Sequence, residues 1–444
     1  MAMLISSAPS PPAAAAAPTP GVAMHALLER LYPICRSITG DGVRQTLAIL
    51  REYLPELRVH EVPSGTPALD WKVPAEWNIR DAWVKNAAGE RVIDFRQHNL
   101  HILQYSTPVH GWFSRAELDA HLFSLPGQPD LIPYRTSYYQ PNWGFCLSQH
   151  QRDQLQDEYY EVCIDSSLDE NGFLTYGELL LPGTSPDEVL LSCHCCHPSL
   201  ANDNLSGLVV AVFLALELAR QPRRYTYRFV FGPGTIGSIA WLSQHRDTVG
   251  LIRHGLVLTL LGGPGHFTYK QSRRSTSEID QAAALVLQHS GHPYAIRPWL
   301  PYGYDERQYC SPGFNLPVGC LSRTPFGEFP EYHTSADNVQ FVEPAQLSES
   351  LQVVQVLCET LEANRTYRNL QPYGEPQLGR RGLYKGVGGG QEGAEWQMAL
   401  LWLLNLSDGQ HSLLAIAGQA GLPPALLHRA ALALQAAELL APVP

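Results

Sequence analysis

Apolar residues recur at helical spacing over 23–31 and again over 42–53, and Thr39-Gly40-Asp41 between them can cap the second helix. An alternating run over 57–62 predicts a strand. From about Trp71 the helical period disappears. Short β-type runs at Trp83-Val84, 92–95 and 100–103 alternate with turn residues, and Tyr134, Tyr138, Tyr139, Trp143 and Phe145 crowd the stretch that follows. Residues 68–150 are read as an inserted β-rich domain, its aromatics packing a core or gating a site.

From Tyr159 onward strands and helices alternate. Strands are expected over 160–164, 174–181, 189–193, 225–231, 255–261 and 317–323, and helices over 204–220, 237–244, 277–289 and 344–364. Such alternation implies an α/β sandwich around a mostly parallel sheet, with ligands bound at the carboxyl ends of its strands. The glycine-rich stretch 379–390 reads as a linker. Helices over 396–404, 412–417 and 424–440 then follow the pattern of a helix-turn-helix.

Composition narrows the function classes. The chain has 444 residues, room for two or three domains of roughly 100–200 residues each. A net charge of −11 weighs against broad nucleic-acid or anionic-membrane binding. No apolar run reaches the roughly 20 residues that span a bilayer. The Ala/Pro-rich tract 9–20 is expected as part of a disordered leader, 1–22. Nine scattered cysteines fit a reducing cytoplasm better than a disulfide framework. From residue 380 four basic residues (Arg380, Arg381, Lys385, Arg429) face four acidic ones (Glu392, Glu395, Asp408, Glu438). A DNA reader is more basic than this. The module is expected to serve a protein partner or a homo-oligomer rather than transcription.

The chemistry concentrates in 190–207, LLSCHCCHPSLANDNLSG. A hydrophobic run ends in His194 and His197, and Asp203 stands between two asparagines just before an apolar helix. Imidazoles and a carboxylate delivered in this way suit zinc. Cys193, Cys195 and Cys196 raise a zinc knuckle as a rival, but no second cysteine pair at finger spacing follows. Far downstream, 331–338 (EYHTSADN) offers His333.

The ordered segments AEWNIRDAW (75–83), NLHILQYSTPV (99–109), IPYRTSYY (132–139), CHPSLANDNLSG (196–207), DERQYCSPGFNLP (305–317) and EYHTSADN resemble one bacterial group. These are aminopeptidase-like proteins of the MH-clan zinc aminopeptidase fold, with an inserted domain of unknown function and a C-terminal winged helix. The resemblance implies a three-layer α/β sandwich formed by 23–67 and 151–372, the β-rich insert 68–150, and a winged-helix-like module over 380–444. It also implies a metal site. The first histidine falls on His194 or His197, the bridging aspartate on Asp203 and the final histidine on His333. His197 is preferred as the ligand, with His194 orienting or replacing it.

The pattern then breaks. After the strand ending at Phe231 stands Gly232-Pro233-Gly234-Thr235, where the family has a glutamate pair, and Gly262-Gly263-Pro264 stands where it has an aspartate. Two close zinc ions short of negative charge repel each other. One zinc is expected, on His197 (or His194), Asp203 and His333, with water in the fourth position. Glu331 and Glu306 are the candidate proton shuttles. Asp305-Glu306-Arg307 is either a structural ion pair or a substrate anchor, with Arg307 gripping a carboxylate. Tyr332 is expected in the core or as a pocket wall that touches substrate. Asp337 and Asn338 cap the next segment or orient His333. The glycine turn at 232–234 is either tight packing or an anion pocket at a helix N-terminus. The expected function is hydrolysis of a peptide or amide bond in a small substrate, in a biosynthetic pathway. The alternative is a non-catalytic zinc- or peptide-binding scaffold.

Overall fold

The structure, a computed structural model, describes residues 19–383 and 391–443. The leader expected over 1–22 lies outside the described residues up to residue 18, and so does most of the glycine-rich stretch, 384–390. A helix, α1 (Pro20–Leu31), starts three residues before the predicted one, with proline in its first turn where the missing N–H costs nothing.

An eight-stranded sheet forms the body. Its strands are β1 (Arg58–Pro63), β2 (Phe173–Leu181), β3 (Glu188–His194), β4 (Thr226–Gly232), β5 (Ile252–Leu258), β6 (Phe267–Lys270), β7 (Tyr294–Arg297) and β8 (Val318–Ser322). The order is β1-β2-β4-β3-β5-β8-β6-β7. The four central strands, β4-β3-β5-β8, are parallel. Between β3 and β4 the chain passes through helix α3 (Gly207–Ala219), and between β4 and β5 through α4 (Ile236–Gln244). Strands β4 and β5 flank β3 on opposite sides, so the carboxyl end of β3 is a topological switch point.

Period-two alternation in β3 divides the core. Val189, Leu191 and Cys193 enter one cluster with α1, α3 and a long helix, α6 (Pro344–Ala363). Leu190 enters the other, with Ile239 and Trp241 of α4. The result is three layers. Helix α3 is apolar all round and nearly all buried, as expected of a helix sandwiched between other elements. Its length and hydropathy, counted from Ala201, would allow a membrane span, yet it lies inside the protein body. Truncating its fully buried Leu208 to alanine should cost about 2–5 kcal/mol.

A second, four-stranded antiparallel sheet draws most of its strands from the stretch 68–150. It comprises Arg91–Asp94, Glu76–Lys85, Tyr159–Asp169 and Val109–Ser114. The segment 160–164, placed with the α/β body by its sequence, therefore pairs with this second sheet, because its buried residues Tyr160, Val162 and Ile164 pack on Val84 and Ala82. At the other end, Thr366–Asn369, Asp408–Ser412 and Leu440–Pro442 form a small sheet around helices Gln391–Leu406, Leu413–Ala420 and Pro424–Ala436. Leu400, Leu414 and Leu427 of that module share the core cluster of α1 and α6.

Candidate metal centre

His194 is the last residue of β3, paired with Gly232 at the end of β4. His197 follows in the loop, its carbonyl accepting from Arg36 Nε at 2.9 Å. Residues Ala201–Ser206 then make an irregular turn in which Asp203 and Asn204 leave helical geometry. The expected start of the helix at 204 thus moves to Gly207, because the turn's side chains bind other backbone. Asn204 Oδ1 accepts from Leu260 N at 3.0 Å, Ser206 Oγ from Leu261 N at 2.9 Å and Asn202 Oδ1 from Gly262 N at 2.9 Å. These bonds satisfy the chain beyond β5, which leaves the sheet at Leu258 and not at 261, Leu260 taking φ +54°.

The turn aims Asp203 at the histidines. His194 Nε2 lies 2.9 Å from Oδ1 and His333 Nε2 3.0 Å from Oδ2. His197 Nδ1 is 3.9 Å from Oδ1. Donor atoms of His194, His197 and Asp203 all lie within 4.8 Å of one another, and this is the metal-capable group found among the described residues. The choice between His194 and His197 left open by the sequence becomes convergence of both on one carboxylate oxygen, with His333 on the other. His333 sits in left-handed backbone, φ +55°, unusual for a non-glycine residue and a mark of local constraint.

Burial sets the protonation states. Burial alone would raise the Asp203 carboxyl, but the surrounding His197, His194 and His333 hold it well below the usual range. Burial lowers His197 to about 3, outweighing the attraction of Asp203. A neutral imidazole beside an ionised carboxylate is the form in which both bind metal.

Asp337 has a role not expected from the sequence. It neither caps a helix nor orients His333. Its carboxylate accepts from Asn202 N at 2.6 Å and Asp203 N at 2.9 Å, and its carbonyl from Ala201 N at 3.0 Å. The loop that delivers His333 thereby clamps the turn that delivers Asp203. Asp337 is fully buried, and burial followed by the Asp203 charge pushes its carboxyl up to about 7.

Several expected roles are corrected. Glu306 is fully buried, and its carboxylate is taken by Lys270 Nζ and by Tyr304 N at 3.1 Å. It is a structural ion pair, not a free proton carrier. Arg307 is exposed, because the single turn Glu306–Tyr309 buries its neighbours Asp305, Glu306 and Tyr309. It does not line the buried centre. Asp305 is buried against Ser238 Oγ at 2.9 Å, and burial raises it to about 6. Its partner is the protein, not a substrate. Glu331 is half-buried in the His333 loop and forms no ion pair with the histidines among the described residues. Tyr332 stacks on His333 at 3.9 Å between ring centres, forming a wall.

The glycine turn at 232–234 is a packing device. A Cβ on Gly234 would stand 1.9 Å from Tyr304 Cε1, so only glycine lets that ring approach. Tyr304 donates to Gly234 O at 3.1 Å and lies 4.2 Å from the His194 ring. The three neighbouring cysteines are buried free thiols absent from the metal-capable group, and burial raises each. The zinc-knuckle alternative has no support among the described residues.

Two further residues shape the centre: Tyr134, one of the aromatics read from the sequence as packing a core or gating a site, and Arg36, which carries no sequence signal. Tyr134 lies in the stretch 68–150, and its ring centre is 5.0 Å from those of both His197 and His333. Backbone bonds hold it there: Tyr134 N donates to His333 O at 2.8 Å and Ser335 N to Ile132 O at 2.9 Å. Arg36, also fully buried, braces His197 from behind.

The three-layer α/β body has the fold of zinc aminopeptidases. The Bacillus subtilis zinc aminopeptidase superposes with a TM-score of 0.57 over 77% of this chain and 94% of its own, at 11% identity, a likeness of fold. Residues 25–364 match the family described as a domain of unknown function, DUF4910, and 365–442 match a winged helix-turn-helix. The chain belongs to this aminopeptidase-like DUF4910 family. A Clostridium acetobutylicum protein named for polysaccharide biosynthesis and an aminopeptidase-like domain is 49% identical over 420 residues, 95% of this chain and 96% of that protein. A crystal structure from the same organism, named as a peptidase, shares 48% identity and a TM-score of 0.90 over 95% of this chain and 96% of its own.

Proposed function

We propose that the protein is a single-zinc hydrolase cleaving a peptide or amide bond in a small substrate. The observation that carries this reading is the buried His194, His197 and Asp203 group, with His333 on the second Asp203 oxygen. The donor set fits zinc: two nitrogens and a carboxylate oxygen, with His197 neutral and Asp203 ionised. Zinc held there supplies Lewis acidity toward a carbonyl and acidifies water. A second ion lacks support, because the carboxylates it would need are replaced by Gly232-Pro233-Gly234 and by Gly262-Gly263-Pro264.

The chain's own groups do the rest. Tyr134, Tyr304 and Tyr332 wall the centre and restrict water. Asp337 fixes the Asp203 turn. Glu331, in the loop of His333 and free of the ion pairs that occupy Glu306, is the carboxylate proposed to accept a proton. The clostridial relative's name supports a biosynthetic substrate. The missing carboxylates favour a second reading, a zinc- or peptide-binding scaffold without turnover. Chelator-sensitive hydrolysis of an amide panel, lost in Asp203→Ala, supports the enzyme. A zinc-loaded protein inert on the whole panel supports the scaffold.

A further inference from the structure

The eight- and four-stranded sheets end in four edge strands, and three of these carry charge or proline. Strand β1 holds Arg58, Glu61 and Pro63, β7 ends in Arg297 before Pro298, and Arg91–Asp94 is bounded by its two charges. Such residues discourage an open edge from pairing with another chain. The fourth edge, Val109–Ser114, reads VHGWFS and has neither. It pairs on one side only, with Tyr159–Asp169. Just beyond it Arg115 N donates to Glu158 O at 2.8 Å, which fixes the phase of the ladder. Val109, Gly111 and Phe113 therefore bond toward Tyr159–Asp169, and His110 and Trp112 turn their N–H and C=O outward. Neither of those two finds another backbone partner among the described residues. The open row stops at Ser114, whose N–H is taken by Glu117 Oε2 at 2.8 Å.

The row is self-complementary. A second copy running antiparallel about a twofold axis at Gly111 sets His110 opposite the partner's Trp112 and Trp112 opposite the partner's His110, so four N–H···O bonds form. On the outer face each pair lays an imidazole beside an indole, and Trp112 is 61% exposed in the single chain. On the inner face Val109 meets the partner's Phe113, and both are only half-buried without it. The two Gly111 residues face each other at the close, non-hydrogen-bonded spacing.

We propose that Val109–Ser114 is the interface of a twofold dimer, in which a second copy of this chain continues the four-stranded sheet by antiparallel pairing centred on Gly111. A closed twofold uses up the edge in both copies and leaves no end for further growth. Two short strands and their aromatic pairs cover less than the roughly 800 Å² per partner of a standard interface, so the dimer forms at micromolar rather than nanomolar concentration.

The test is sedimentation of the full chain from about 1 to 500 μM, where wild type should pass from monomer to dimer. His110→Pro removes an outward N–H and no bond to Tyr159–Asp169, a place where an edge strand tolerates proline. It should stay monomeric over the whole series, and circular dichroism should show its sheet retained. Trp112→Ala should raise the dissociation constant roughly tenfold or more. Gly111→Cys reports the register. A Cβ there meets only Phe113 Cε2, at 3.6 Å, so the variant should fold. Across the twofold its Cα atoms stand about 4.5 Å apart, within the reach of a disulfide. Copper–phenanthroline oxidation should link the Gly111→Cys chains into covalent dimers and leave wild type unlinked. A monomer at every concentration, or a dimer undiminished in His110→Pro, overturns the interface. A dimer whose Gly111→Cys form does not cross-link overturns the pairing centred on Gly111.

Discussion

Replacing Asp337 tests whether the two halves of the metal centre are held by one residue. Its carboxylate takes two backbone donors, from Asn202 at 2.6 Å and Asp203 at 2.9 Å, in a fully buried position. Asparagine is isosteric but offers one acceptor oxygen and presents N–H groups at the other position. One backbone donor of the turn is left unpaired, at about 1–3 kcal/mol. Alanine removes both acceptors, and twice that, about 2–6 kcal/mol, is the expected ceiling. The loss falls on the turn that positions Asp203, so zinc affinity should fall roughly 10–100-fold, as for other residues that orient a metal ligand. Competition against a zinc-chelating dye measures the affinity, and thermal melting of the metal-free protein measures the turn. Asp337→Asn should be intermediate and Asp337→Ala worse in both. Unchanged zinc affinity and melting in both variants would refute the clamp.

Other consequences follow from the same geometry. His197 is lowered to about 3 when folded, against about 6.5 in an unfolded chain, so the unfolded state binds more protons in this window. Metal-free protein should lose stability through His197 as pH falls from about 6.5 toward 3, and His197→Gln should flatten that slope; identical slopes would contradict the assignment. Gly234→Ala forces Tyr304 away from His194 and should destabilise by about 1–3 kcal/mol. A melt unchanged from wild type would show that the ring is not tightly seated. In the winged-helix module, Ala425, Arg429 and Leu432 are exposed on Pro424–Ala436, and the start of that helix, with His428, faces α6 across narrow grooves. Duplex DNA should not bind with the steep salt dependence of phosphate contacts, and a steep slope in a titration would overturn this expectation.

The fold was legible where local pattern and tertiary role agree. The alternation from Tyr159 onward gives the α/β class, and the strand expected over 189–193 matches β3 to one residue at each end. The helix expected over 277–289 matches Glu278–Gln288, where Ser277 and Asp280 form a capping box. Legibility failed where long-range bonds override local pattern. Leu260 and Leu261 look like more strand, yet their N–H groups donate to side chains of the Asn202–Ser206 turn some 55 residues away. The segment around 160–164 looks like any strand, and only its partners show which sheet it joins.

The same holds for the centre. His194, His197, Asp203 and His333 could be nominated from residue type and position. Glu306 could not be dismissed, because Lys270 lies 36 residues away. Tyr134 could be named only as one of several aromatics that pack a core or gate a site, because its place beside the histidines depends on the bridge between Pro133 and Thr334. Asp337 was noticed for the wrong reason: a carboxylate near a histidine suggests orientation of the ring, whereas its bonds go to backbone 135 residues away.

The most direct test is a metal count with its ligands identified: elemental analysis of purified protein, then a zinc-edge anomalous map. The account predicts one zinc per chain, bound by His194, His197 and Asp203 with His333 at the second carboxylate oxygen, and loss of that zinc in Asp203→Ala. Two ions per chain, or full amide hydrolysis by protein shown to be free of metal, would contradict it.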